Sequence, residues 1–163
     1  MDHLTRMEEL LNQANDLIKD NKFEAAENKL EEIIKVDPNF GKAYNHLGYL
    51  YEVKFRDYEK GETLYNLALE KSPMYTATYY NYAVLLSTIG KFDKLKELLD
   101  TALGIPGIIK STIYNEYGIM YEQQTQFDLA IDYYRKCALN SLDQGVVDRA
   151  KQSIARCESK KSL

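Results

Sequence analysis

Histidine, cysteine and carboxylate side chains are where catalysis or metal binding would begin, and this chain spaces them poorly for either. It has two histidines, His3 and His46, and two cysteines, Cys137 and Cys157. No two of these four stand at the short intervals that hold zinc, so no metal site is expected. Neither a glycine-rich phosphate loop nor a strained nucleophile turn is found, and no carboxylate pair is isolated in apolar sequence. The residues therefore argue against an enzyme and give no reason to expect a cofactor. The remaining polar chemistry lies in fourteen tyrosines and in asparagines such as Asn45, Asn81 and Asn115. An Asn amide both donates and accepts, so it can bond a peptide backbone whatever that peptide's side chains are.

The elements that carry these residues are helical. In the segment 44–73, YNHLGYLYEVKFRDYEKGETLYNLALEKSP, the residues Tyr44, Leu47, Gly48 and Tyr51 fall on one helical stripe. Gly61, Leu64, Tyr65, Ala68 and Leu69 fall on another. The polar stretch Phe55-Arg56-Asp57 predicts a turn between them, with Asp57 capping the second helix and Pro73 ending it. This hairpin recurs. Tyr44, Tyr79 and Tyr114 are spaced by 35 residues, as are Gly48, Ala83 and Gly118. Phe23, Tyr58, Phe92 and Phe127 open the second helices at steps of 35, 34 and 35. A fixed period of that length, with two helices in each period, describes a repeat array.

The recurring pattern, aromatic-x2-Leu/Tyr-Gly/Ala-x2-Tyr/Leu followed by Phe/Tyr, Ala/Gly, Tyr/Leu and Pro, resembles the tetratricopeptide (TPR) repeat over about residues 7–144. The resemblance implies an all-α, right-handed superhelical array of helix–turn–helix units (a TPR-like α-solenoid) with a C-terminal capping helix. Residues 1–163 are read as a single domain, with repeats at 7–40, 41–75, 76–110 and 111–144, a capping helix at 145–158 and a frayed tail at 159–163. Repeat two has one residue more than usual, and we assign the extra residue to the turn at 54–57. Ten of the tyrosines (Tyr44, Tyr51, Tyr58, Tyr65, Tyr79, Tyr82, Tyr114, Tyr117, Tyr121 and Tyr134) occupy recurring inner positions and are expected in the core, their hydroxyls reaching polar partners. Cys137, at an inner small-residue position, is expected to be a buried, inert thiol.

Composition narrows the setting. The net charge of −4 argues against a nucleic-acid groove, and no apolar run is long enough to span a membrane. The start, MDHLTRMEELLNQ, has acidic residues where a secretion signal needs an apolar run, and two cysteines make no disulfide framework. A cytoplasmic location is the expectation.

In TPR proteins the first helix of each repeat lines a concave groove that holds an extended peptide or a partner helix. Carried over to this chain, the resemblance places Leu11, Asn12, Asn15 and Ile18 of repeat one on that face, then Asn45, His46, Tyr49, Glu52 and Val53 of repeat two. Tyr80, Asn81, Val84, Ser87 and Thr88 come from repeat three, and Asn115, Glu116, Ile119, Glu122 and Gln123 from repeat four. The central set is Asn45, Tyr49, Glu52, Tyr80, Asn81, Val84, Asn115, Ile119 and Glu122. One specialised groove of the family clamps the terminal carboxylate of heat-shock chaperones with lysine and arginine. The corresponding positions here hold Leu11, Asn15, His46, Ala77 and Asn81, or one repeat later Asn45, Tyr49, Asn81, Thr112 and Glu116. The cations such a clamp requires are missing in both registers. What the resemblance implies is a protein-binding scaffold or adaptor. The alternatives are a self-associating structural element, which would be a homo-oligomer, or a small TPR chaperone for a secreted protein.

Overall fold

A computed structural model describes residues 2–163. Among them are nine α-helices and no strand: α1 (His3–Lys19), α2 (Phe23–Val36), α3 (Gly41–Tyr49), α4 (Tyr58–Lys71), α5 (Thr76–Thr88), α6 (Phe92–Ala102), α7 (Lys110–Gln123), α8 (Phe127–Leu139) and α9 (Gln144–Lys161). The architecture is all-α and TPR-like. The chain divides into two compact units, Met1–Leu85 and Leu86–Leu163.

Local chemistry explains the ends of the helices. Asp2 and Asp57 accept from the backbone N–H groups of Thr5 and Lys60 at 2.8 and 3.0 Å, capping α1 and α4. Asp143 caps α9 in the same way, through the Val146 N–H at 3.2 Å. Each hairpin turn contains one left-handed residue: Asn21 (φ 59°), Arg56 (φ 57°), Gly90 (φ 71°) and Thr125 (φ 58°). Each stands two residues before the second helix, so all four turns are built alike.

That regularity relocates the extra residue of repeat two. In repeats one, three and four the N–H after the left-handed residue bonds five residues back, as in Lys22 to Leu17, Lys91 to Leu86 and Gln126 to Tyr121. In repeat two the Asp57 N–H reaches six back, to Tyr51. The insertion is therefore helical: Leu50–Phe55 continues α3 as a π-helix, and the turn at 54–57 keeps its usual form. A π-bulge is the ordinary way for a helix to absorb one added residue.

In unit one, Met7, Leu11, Ala14, Ala26, Leu30 and Ile33 form a core with Ala43, Tyr44, Leu47, Leu50 and Leu64. Leu11, assigned to the groove by analogy, belongs to this core, because its side chain packs between α1 and its neighbours and not toward solvent. Gly48 makes a close crossing possible: a Cβ there would lie 2.9 Å from the ring of Tyr65. In unit two the same pairing recurs between Gly118 and Tyr134, where a Cβ would come within 2.5 Å. The buried tyrosine hydroxyls find polar partners as expected. Tyr44 and Tyr79 donate to the carbonyls of Pro38 and Pro73 at 3.0 and 2.8 Å, and Tyr82 donates to Asn66 at 3.0 Å. Tyr117 bonds Asp100. Tyr133, outside the recurring set, stacks on Tyr117 and Tyr121 with centroids 4.5 and 5.4 Å away.

Helix α9 packs Ile154 and Cys157 against Ala130, Ile131 and Tyr134 of α8. It continues past the expected end of the cap at residue 158, so Lys160 and Lys161 are helical and not in a frayed tail. Both have partners to hold them there: Glu122 at 2.8 Å and Asp128 at 2.5 Å.

Candidate functional site

The first helices of repeats one to three meet around an open cavity of about 340 Å³ within unit one. Its walls are Asn15 and Ile18 from α1, Asn45, His46 and Tyr49 from α3, and Ala77 and Asn81 from α5, with Lys19 and Tyr75 at the margin. Three consecutive repeats thus bring their one-turn-spaced side chains to one place, as the helical period requires.

The polar groups here are oriented by bonds behind them. Asn45 is only 2% exposed, and its Oδ1 accepts from Asn81 Nδ2 at 3.2 Å. Asn81 is half-buried and lines the cavity beside Asn45, so each amide helps to fix the other. His46 Nδ1 lies 2.8 Å from the Lys42 carbonyl, which can only accept. The Nδ1 atom therefore carries the proton and Nε2 is left as an acceptor. Burial lowers the His46 pKa, and the nearby Lys42 ammonium works in the same direction, so the ring is neutral at pH 7. Lys42 is itself paired with Glu8 at 2.5 Å. Lys19 is engaged with Asp16 at 3.4 Å. The cavity therefore offers acceptors and an aromatic wall in place of a cationic clamp.

The other residues of the central set are divided between the two units. Glu52 is buried in the π-helical turn, and its Oε2 accepts from Tyr65 at 2.6 Å. Desolvation pushes its carboxyl pKa up, only partly offset by that hydrogen bond. Tyr80 is half-buried, and Val84 is 49% exposed on the same helix as Asn81. In unit two, Asn115 donates to Glu116 at 3.4 Å and Ile119 packs against the α8–α9 cluster. Glu122 accepts from Arg156 Nε and Nη2, both at 2.7 Å, from Lys160 at 2.8 Å and from Tyr134 at 2.8 Å. Chiefly through the Arg156 guanidinium, its carboxyl pKa is held down at about 2. Its side chain is 10% exposed. Tyr75 and Ala77 line the cavity without belonging to the central set. Ala77 carries a sequence signal, since it stands at one of the clamp positions, whereas Tyr75 falls in an inter-repeat turn that carries no groove pattern.

Among the described residues no group of three or more His, Cys, Asp or Glu is placed to hold a metal ion, and no helix is long and apolar enough to cross a membrane.

Comparison with known proteins agrees with this fold. Two family models described as tetratricopeptide repeat match residues 11–86 and 111–141. A curated relative, the probable UDP-N-acetylglucosamine–peptide N-acetylglucosaminyltransferase SPINDLY of Hordeum vulgare, is 30% identical over 115 residues, 66% of this chain. The match spans only 12% of that relative's length. Among solved structures, PilF of Pseudomonas aeruginosa superposes with a TM-score of 0.83 at 15% identity, covering 96% of this chain and 69% of the other. Yeast Tom70 gives 0.81 at 20% identity, covering 96% and 34%. TTC0263, a thermophilic TPR protein of Thermus thermophilus, gives 0.73 at 18% identity, covering 91% and 81%. At these identities the structural likeness concerns the fold alone.

Proposed function

This chain belongs to the tetratricopeptide repeat family, and on that premise we propose that it is a protein-binding module whose working face is the cavity of unit one. TPR folds serve protein–protein interaction in general; the finer reading is that an extended segment of a partner lies across α1, α3 and α5. The observation that carries it is the convergence of Asn15, His46, Tyr49 and Asn81 on one open cavity. Asn81 and His46 accept hydrogen bonds from backbone N–H groups, and Asn amides donate to carbonyls, which gives affinity independent of the partner's side chains. Tyr49 and Ile18 supply the apolar contact on which such an interface depends. In this reading the protein holds its partner and carries no catalytic step.

The test is a comparison of two variants. Tyr49→Ala with Asn81→Ala removes one aromatic wall and one presented amide. An interface aromatic commonly contributes ~2 kcal/mol, so the pair should weaken partner capture at least about tenfold. Tyr44→Ala with Tyr79→Ala empties two core positions and should lower the melting temperature far more. Unchanged capture by a stable Tyr49/Asn81 variant would refute the groove.

A further inference from the structure

Unit one buries a carboxyl group without a counter-charge. Glu52 is 7% exposed in the π-helical turn that continues α3, one turn beyond Tyr49, which lines the cavity. Its Oε2 accepts from the Tyr65 hydroxyl at 2.6 Å. Among the described residues no lysine, arginine or histidine stands at ion-pair distance from it, and Tyr65 is the titratable group that acts on it. Basic residues close in sequence are engaged elsewhere. Lys54 lies 4.8 Å from the centre of the Phe23 ring, and Lys60 bonds Tyr51 at 2.5 Å. Taking a carboxylate out of water without a counter-charge costs more free energy than one neutral hydrogen bond returns.

Unit two shows what the same pair of side chains takes when a cation is within reach. Glu122 and Tyr134 are the repeat-four counterparts of Glu52 and Tyr65, joined by the same hydroxyl-to-carboxylate bond at 2.8 Å. Arg156 closes on Glu122 with Nε and Nη2, each at 2.7 Å. The fork spans both carboxylate oxygens although one of them already accepts from Tyr134. The Arg156 side chain is 48% exposed and that of Glu122 is 10% exposed, so a guanidinium reaches a glutamate at this depth from a half-exposed position. Glu52 lies at a similar depth, and the residues that follow it, Val53, Lys54 and Phe55, are exposed.

The surroundings favour arginine over lysine. Two parallel N–H donors match two carboxylate oxygens, and a guanidinium also stacks on an aromatic face such as that of Tyr49. Lys19 and Lys42 would repel a cation at the cavity, but each is neutralised, by Asp16 at 3.4 Å and by Glu8 at 2.5 Å. We propose that the partner segment held by unit one carries an arginine whose guanidinium pairs with Glu52 beside Tyr49. This rests on the cavity of unit one being the working face, and it adds the chemistry that the occupant must bring.

NMR of the whole chain, titrated with capped alanine–serine peptides that differ only at one central residue, tests it. That residue is arginine, lysine or citrulline, the last an uncharged copy of the arginine shape. The arginine peptide should give saturable shifts at Tyr49, Glu52 and Tyr65 and bind at least about tenfold more tightly than the citrulline peptide. The lysine peptide should fall between them. Glu52→Gln, which keeps an acceptor for Tyr65, should bring the arginine and citrulline peptides to equal affinity, with the fold confirmed by circular dichroism. Equal binding of arginine and citrulline by the unaltered chain, with shifts at Asn15, His46 and Asn81, overturns the pairing and leaves the groove standing. An arginine preference that survives Glu52→Gln, or lysine binding as tightly as arginine, overturns it as well. No shift at the cavity residues with any of the three peptides overturns the pairing and the groove together.

Discussion

Glu52 and Glu122 stand at equivalent places in repeats two and four, and each accepts a hydrogen bond from the tyrosine of its own second helix, Tyr65 or Tyr134. Their surroundings then diverge. Glu122 is gripped by Arg156 and Lys160 of the last helix and is strongly acidic. Glu52 has no cation beside it among the described residues, sits in a π-helical turn, and has its pKa raised by desolvation. One repeat motif therefore produces a structural ion cluster in unit two and an uncompensated buried carboxyl in unit one. The repeat fixes the position of the carboxylate, and the next element along fixes what it does. In unit two that element is α9, which uses the first-helix face of repeat four for the chain's own packing. In unit one the corresponding face lines an open cavity.

The largest expected effect tests the packing the two units share. Gly118→Val and Gly48→Val each drive a branched side chain into a tyrosine ring, costing roughly 1–3 kcal/mol or more by overpacking. Gly118→Val should be the worse, since its Cβ alone would come to 2.5 Å against 2.9 Å for Gly48. Urea melts rank the two; a reversed order would mean the Tyr65 crossing is the more rigid.

Next in size is a pair of charge-neutralising changes with opposite signs. Glu122→Gln removes a multiply bonded carboxylate and should destabilise by ~1–2 kcal/mol at pH 7, a figure discounted because Arg156 and Lys160 are about half exposed. Glu52→Gln keeps the Tyr65 hydrogen bond while removing a desolvated charge, so it should leave stability unchanged or raise it slightly. The two carboxyls also respond oppositely to pH. Glu122 has a folded pKa of about 2, below its ordinary 4.5, so its contribution is complete above about 4.5 and is lost as the pH falls toward 2. Glu52 has a raised folded pKa, so protonation favours the fold and its contribution declines as the pH rises through that value. Hydrogen exchange in α4 and α8 over pH 3–7 should therefore show opposite slopes, each abolished by its own Gln variant. Parallel slopes would break the contrast.

The smallest effect is Gly61→Ala in α4. A methyl there would meet the Gly48 carbonyl at 3.4 Å and Leu85 at 3.6 Å, which is ordinary contact. Removing backbone freedom should then stabilise unit one by about 0.5–1 kcal/mol. A loss on thermal melting would show that α3 and α4 cannot give even a few tenths of an ångström.

The repeat register and the helix hairpins were legible because they depend on local period and residue size. Asn15, His46, Tyr49 and Asn81 were put on one face by the resemblance to the TPR repeat, and all four line the cavity of unit one. The π-helix was not legible, since one inserted residue carries no sign of whether a helix or a turn will absorb it. Nor was the burial of Leu11, which depends on the neighbouring α2 and α3. The cations on Glu122 come from 34 and 38 residues downstream, beyond the reach of any pattern within repeat four. The burial of Asn45 beneath Asn81 likewise arises between repeats.

The central claim is that unit one offers its first-helix face to a partner while repeat four spends the same face on α9. Photo-crosslinking tests it most directly, with a benzophenone amino acid placed singly at Tyr49 and at Ile119, equivalent positions of the two repeats, and each variant exposed to the native lysate. The account predicts a discrete intermolecular adduct from position 49, competed away by unlabelled protein, and only intramolecular or no adducts from position 119. Equal intermolecular adducts from both positions, or adducts from 119 alone, would contradict it.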